Sequence, residues 1–442
     1  MYELFNFQDY FLIPIYLIII FGIARYIKSI YIKDNPEFKY LITGLFFKII
    51  GVTAFFLVYV FYYDGGDTIS YFYGSKALVN LLIQDFDKGY DILFNLNTPN
   101  NNFHSFNLKT GYPPYYMFSG DKTFNVCRFS VIFTFLGCKS FIITSFLISS
   151  LSYIGIWKIF RLFNILYPNN SRAFAYLILF IPSLLFWGSG IMKDSYVLGA
   201  TCWITYNFYL LFIVRSNLFW NTIILLANLF IIINIKPYIV ISLLPGMLLW
   251  LNNAYLGVIT STFFKITLFP IIAFTVLLIG YFVFNNLSSM MGRYGDVDGA
   301  LEQAKIIQTD LLREDQYGAN NYDLGEIDGS ILGLIKVAPT AVFTALFRPL
   351  FWEVGSPTMF ISAIENTFLI VFSLFTFLTV SPIKFLRLLL KEPFLLYCLT
   401  FSIIFAFGVG IAGTNFGALV RYKIPLIPFF FPMLYLFKNK LK

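Results

Sequence analysis

Apolar runs of about twenty residues recur along this chain, and short clusters of lysine or arginine follow alternate ones. A run of that length crosses a hydrocarbon core about 30 Å thick as a helix, and inside the core the backbone must satisfy its own hydrogen bonds. The 442 residues would otherwise suggest two or three soluble domains, but 58% hydrophobic and 12% charged residues exclude that reading. A soluble domain carries about 25% charged residues. The 55 phenylalanines and 30 tyrosines suit lipid-facing helices and interfacial belts.

Eleven spans are expected, near 10–28, 40–62, 140–160, 173–190, 195–214, 219–235, 237–252, 263–284, 359–380, 393–412 and 422–437. The fold class is therefore all-α. It is a polytopic integral membrane protein with a single membrane domain over 1–442 and two extracytoplasmic loop regions, at 63–138 and 285–358. Lys236-Pro237 interrupts one long apolar stretch, and because proline lacks an amide donor and lysine is costly in lipid, that point reads as a turn at an interface.

Basic residues orient the spans. Arg25, Lys28, Lys33 and Lys39 follow the first; Lys158, Arg161 and Arg172 the third; Arg215 the fifth. Lys265, then Lys384, Arg387 and Lys391, and finally Lys438, Lys440 and Lys442 continue the series. With eleven helices all of these are expected on one side, the cytoplasm, with the N-terminus outside and the C-terminus inside. The opening Met1-Tyr2-Glu3-Leu4-Phe5 lacks the basic start of a secretory signal, so the first run is expected to remain as a helix.

Of the 23 acidic residues, six lie in 63–138 and ten in 285–358, so chemistry is expected on the extracytoplasmic face. The net charge of +8 is spread between apolar runs rather than gathered in a basic domain, which argues against nucleic acid as partner. His104 is the only histidine, and Cys127, Cys138, Cys202 and Cys398 have no metal spacing. Hydrolytic triads and zinc catalysis fit poorly, and no phosphate-binding glycine loop or dinucleotide fingerprint is present.

Four stretches could carry chemistry. In Tyr63-Asp64-Gly65-Gly66-Asp67 the glycines release the second span with a turn, and Asp67 is a fit N-cap for a helix that shares its face with Tyr71, Ser75 and Leu78. Asp67 is either that cap or a carboxylate at the membrane boundary, where partial desolvation raises basicity. Asp64 and Asp67 could share a divalent ion, Mg²⁺ or Mn²⁺, though two carboxylates are an incomplete shell. The connection Pro182 to Ser195 holds Lys193 and Asp194, either a salt-bridged hairpin tip or the floor of a polar cavity. Arg421 and Lys423 enter the last span against the charge bias, either snorkelling to headgroups or holding a phosphate, and Lys236 is a second phosphate candidate. Arg348 and Glu353 pair more naturally as a clamp than as catalysts, and Glu365 within its span needs a partner.

The series Asp67-x-x-x-Tyr71-x-x-x-Ser75, the Arg128 segment, the Pro182 to Asp194 hairpin, Lys236-Pro237-Tyr238 and Arg421-Tyr422-x-x-Pro425-x-x-Pro428 resembles GT-C-fold glycosyltransferases, which use polyprenyl-phosphate sugars. The composition also resembles membrane proteins of bacterial surface-polysaccharide clusters. The resemblance implies a lipid-linked sugar donor, a glycan, lipid or protein acceptor, and one acidic residue as general base on the acceptor hydroxyl. On this chain Asp67 would be the base with Asp64 beside it, while Arg421, and Lys236 or Lys193, would hold the donor phosphate. The chain departs from the family in having two helices rather than one before the first large loop, and no separate soluble domain of the kind many family members carry is expected after the last span.

A surface-polysaccharide polymerase or ligase is the nearest rival, leaning on loop arginines such as Arg128, Arg293, Arg313 and Arg348. A lipid-linked glycan transporter ranks third, because apart from Glu365 and the Lys236 interruption the spans read as nearly free of ionisable residues.

Overall fold

The computed structural model describes residues 4–95, 100–118, 122–256, 297–311, 321–322, 324, 331–379 and 381–440. Among them regular structure is helical, and the one β feature is an isolated bridge between Asn321 and Asn415. Among the described residues eight helices are long and apolar enough to cross a membrane: Asp9–Tyr31, Pro36–Tyr62, Phe141–Leu166, Lys193–Val214, Leu218–Ile235, Pro357–Thr379, Pro393–Ala412 and Phe416–Lys440. Each coincides with one of the expected spans. The expected span at 237–252 is met by a shorter apolar stretch, Tyr238–Asn252, and the one at 263–284 lies outside the described residues.

The chain divides into two compact units, Met1–Trp203 with Phe230–Lys236, and Ile204–Leu229 with Pro237–Lys442. In the first unit α1 (Asp9–Tyr31) and α2 (Lys39–Leu57, prolonged by a π turn over Val58–Tyr62) are followed by α3 (Asp67–Gln84) and α4 (Phe86–Phe94). Then come α5 (Asn125–Leu136) and the long α6 (Phe141–Leu166). Asp85 caps α4 by accepting from the Lys88 amide, and Ser140 caps α6 by accepting from that of Ile143. On α4, Phe86, Tyr90 and Phe94 form an exposed aromatic stripe, as expected of a helix lying at a bilayer interface. The α2–α6 contact is fixed by the Tyr153 hydroxyl, which donates to the Leu41 carbonyl at 2.7 Å.

The segment 173–190, expected as a continuous fourth span, is broken. It comprises α7 (Ser171–Phe174), a π turn (Ala175–Leu179), a kink at Phe180, the single turn α8 (Pro182–Phe186) and an irregular link into α9 (Lys193–Phe208). Hydropathy counts apolar residues and is blind to Pro182, Gly188 and Gly190, which interrupt the ladder here. At Gly190, with φ +74, a side chain would also run into the Phe55 ring.

The second unit holds part of α10 (Leu218–Ile235), α11 (Tyr238–Leu256), α12 (Val297–Leu311) and α13 (Ile331–Phe347). It continues with α14 (Pro357–Thr379), α15 (Pro382–Lys391), α16 (Pro393–Ala412), α17 (Phe416–Tyr422) and α18 (Ile427–Lys440). Its centre is α16, where Tyr397, Phe401 and Phe405 stack in succession at 6.3 and 5.5 Å and Phe429 of α18 meets Phe401 edge-on at 5.0 Å. Gly410 admits the Ala341 backbone of α13, a close approach of the kind small residues permit between membrane helices.

Candidate functional site

The first unit gathers polar side chains where α2 gives way to α3. Asp64 takes a left-handed conformation with φ +46 and is exposed; Gly65 and Gly66 carry the turn. Gly66 occupies the N-cap of α3, so the expected cap role of Asp67 is corrected: Asp67 is the first helical residue, half-buried at the positive end of the helix. Tyr71, one turn on, is buried. The same side of α3 packs on α5, where a side chain on Gly74 would meet the Cys127 sulfur and the Ser75 and Thr134 hydroxyls bond at 2.8 Å.

Tyr116 links this helix start to the rest of the cluster. Its phenol is hydrogen-bonded with Ser70, and its pKa is raised chiefly by burial, with the nearby Asp67 charge and the Cys127 thiol adding to the rise. Burial likewise pushes Cys127 up, against the opposing charges of Arg128 and Lys193. Asp67 thus acts on Tyr116, Tyr116 feels Cys127, and Cys127 feels Lys193. Arg128 is committed within it: Nε donates to the Ile92 carbonyl at 2.7 Å, Nη1 to Asn125 Oδ1 at 2.6 Å and Nη2 to the Asn95 carbonyl at 2.8 Å. Burial lowers its pKa to about 10, which leaves it cationic at neutral pH.

The adjacent charges Lys193 and Asp194 do not form a hairpin tip of their own. Lys193 Nζ lies 3.5 Å from Thr123 Oγ1, while Asp194 Oδ1 receives Lys236 Nζ at 2.5 Å. Asp194 and Lys236 are almost wholly buried, with side chains 3% and 8% exposed. Desolvating two charges is tolerable only when they are paired in this way. The Lys236 end is tied to the same region by Lys122, which donates to the Ile233 carbonyl at 2.7 Å, and by Asn125, which donates to that of Asn234 at 2.9 Å.

Beneath this cluster lies a cation that the sequence reading passed over. Lys48 sits in the middle of the apolar Pro36–Tyr62 helix and is fully buried, so the expectation of spans nearly free of ionisable residues is corrected. Its Nζ donates to the carbonyls of Leu184 at 2.9 Å and Gly188 at 2.7 Å. These are open carbonyls at the end of α8, where positive charge is favoured. With Gly51 facing Leu185 and Gly190 against Phe55, the broken segment meets α2 over residues 48–55. Gly190 is therefore held about 10 Å along the helix axis from the Tyr62 end. Irregular backbone at such depth survives only when protein satisfies it.

In the second unit Arg348 and Glu353 pair, Nε to Oε1 at 2.8 Å, and Glu353 Oε2 accepts the Leu350 amide at 2.8 Å. The guanidinium also rests 4.8 Å from the Phe416 ring and 5.5 Å from that of Tyr322. That is the clamp the sequence suggested. Lys423 is internal: Nζ donates to Asn366 Oδ1 at 2.6 Å and to the Arg348 carbonyl at 3.0 Å, with the Glu365 charge nearby. Arg421 is partly exposed near the end of α17, which Asn415 caps. Asp64, Asp67, Tyr71, Lys193, Asp194 and Lys236 thus belong to the first unit and Arg348, Glu353, Arg421 and Lys423 to the second. Arg293 and Arg313 lie outside the described residues.

Among the described residues no group of three or more histidine, cysteine, aspartate or glutamate side chains is arranged to hold a metal ion, so Asp64 and Asp67 gain no third ligand of that kind. Compared with family models, curated proteins and solved structures, the chain matches none.

Proposed function

We propose that this chain is a membrane glycosyltransferase of the bacterial cytoplasmic membrane. It transfers a sugar from a polyprenyl-phosphate donor to an acceptor hydroxyl on the extracytoplasmic face, with Asp67 as general base. The observation that carries this reading is that Asp67 acts on Tyr116 and Lys193 on Cys127, two side chains that act on one another. The acceptor oxygen attacks the anomeric carbon and Asp67 takes its proton. The bond from that carbon to the phosphate oxygen breaks, and the electron pair leaves with the polyprenyl phosphate. Lys193 offsets the charge growing on the phosphate, an interaction stronger in the transition state than in the ground state. The donor bond already holds the energy, so no nucleotide is consumed.

Two features support this over an arginine-based polymerase or ligase. Arg128 spends its donors on Ile92, Asn95 and Asn125, and Arg348 is paired with Glu353. The deciding experiment complements cells lacking the gene with Asp67→Asn or with Arg348→Ala, compared at equal membrane expression by the mass of their surface glycans and polyprenyl lipids. Loss of one sugar increment with Asp67→Asn supports transfer; wild-type glycans with Asp67→Asn and loss with Arg348→Ala would make it a polymerase or ligase.

A second reading, movement of a lipid-linked glycan, gains from Lys48 and the broken segment 173–190, since interrupted helices and buried cations recur in transporters. Proteoliposomes separate the two: transport moves a labelled polyprenyl glycan without changing its mass, whereas transfer changes the mass.

A further inference from the structure

We propose that α15, Pro382–Lys391, is a binding surface for anionic phospholipid. The helix is about 15 Å long, half of what a bilayer crossing needs, and is bounded by Pro382 at its start and Pro393 just beyond its end. At about 100° per residue its side chains fall into three sectors. Phe385, Leu388 and Leu389 form the first and face protein: Phe385 packs on Phe437 of α18 at 4.4 Å and on Phe377 of α14 at 5.6 Å, and Leu389 is 5% exposed.

The second sector is Ile383, Leu386 and Leu390, exposed at 70%, 58% and 58%. Lys384, Arg387 and Lys391 form the third, all exposed and without an acidic partner among the described residues. Other charges near this helix are engaged. Glu392 pairs with Lys440, and Lys438 lies over the rings of Phe375 at 4.5 Å and Phe372 at 5.3 Å. The uncompensated positive strip is therefore on α15 itself.

One packed sector, flanked on one side by exposed aliphatics and on the other by cations, fits a helix lying in the plane of the interface. The aliphatic edge enters the acyl layer and the basic edge stays at headgroup level. Charge complementarity then selects the lipid: each cation near an anionic leaflet contributes up to about fivefold in binding, whereas zwitterionic headgroups give no such gain. The inference does not depend on the reaction proposed for the first unit.

The full-length protein, reconstituted with equimolar phosphatidylglycerol and phosphatidylcholine and then extracted in mild detergent, is weighed with its retained lipids. The wild type should retain phosphatidylglycerol over phosphatidylcholine by about tenfold or more at low salt, with the preference shrinking as salt rises. Lys384→Gln/Arg387→Gln/Lys391→Gln should reduce it to about twofold or less. Lys384→Arg/Arg387→Lys/Lys391→Arg should keep it, which separates charge from folding. An unchanged preference in the glutamine variant would overturn the proposal. So would displacement of phosphatidylglycerol by inorganic phosphate, which marks an ion site instead of a lipid surface.

Discussion

Asp67 and Asp64 stand three residues apart, yet the backbone treats them differently. The turn leaves Asp64 exposed at positive φ and sets Asp67, half-buried, at the first turn of α3. Asp67→Asn should therefore lower transfer by about 10²–10⁴-fold, the usual worth of a general base, while Asp64→Asn stays near wild type. Equal membrane levels of both variants make the comparison valid, and equal losses would assign the effect to the turn and not to the carboxylate. The Asp194 and Lys236 pair makes a sharper stability prediction. Asp194→Asn or Lys236→Met alone should cost about 3–5 kcal/mol, because each strands a buried charge, and the double variant should cost less than either. Denaturation of the purified variants measures this, and additive losses would contradict it.

Among the elements, the broken segment between α7 and α9 carries most weight. Lys48→Met withdraws the donor from two buried carbonyls, each worth about 1–3 kcal/mol when left unmade, and should lower the melting temperature of the whole protein. A variant melting with the wild type would mean that the broken segment holds itself in place. Most helices were legible in the sequence because length and apolarity suffice to mark a span, as for α6 and α16. The break was not, since its residues are as apolar as those of a true span and only Pro182, Gly188 and Gly190 hinted at it. Lys48 was visible as a lone charge in an apolar run, but nothing local said that its partners lay some 140 residues away, at Leu184 and Gly188. The Asp194 and Lys236 pairing was hidden for the same reason. Adjacency in sequence suggested Lys193 and Asp194 as a pair, whereas the fold gives Asp194 a partner 42 residues on. The clamp of Arg348 with Glu353 was readable because its partners lie only five residues apart.

At the scale of the whole molecule, the two units divide the polar residues. The first holds the Asp67 neighbourhood and the buried pair, and the second holds the Arg348 clamp, the internal Lys423 and the amphipathic α15. The pattern of basic residues along the sequence leads us to propose that Asp64 lies outside and Lys384 on the cytoplasmic side. Cysteine scanning with an impermeant thiol reagent tests that arrangement: Asp64→Cys should react from outside intact cells and Lys384→Cys only after permeabilisation, and the reverse would invert the topology. Above all, we propose that the protein breaks the bond between a sugar and its polyprenyl phosphate. The most direct measurement follows, by mass, the membrane polyprenyl-phosphate sugars incubated with purified wild-type or Asp67→Asn protein and a crude acceptor fraction. Free polyprenyl phosphate and an acceptor heavier by one sugar are expected with the wild type, and neither with Asp67→Asn. Release by both proteins alike, or by neither while the intact donor changes leaflets, would contradict it.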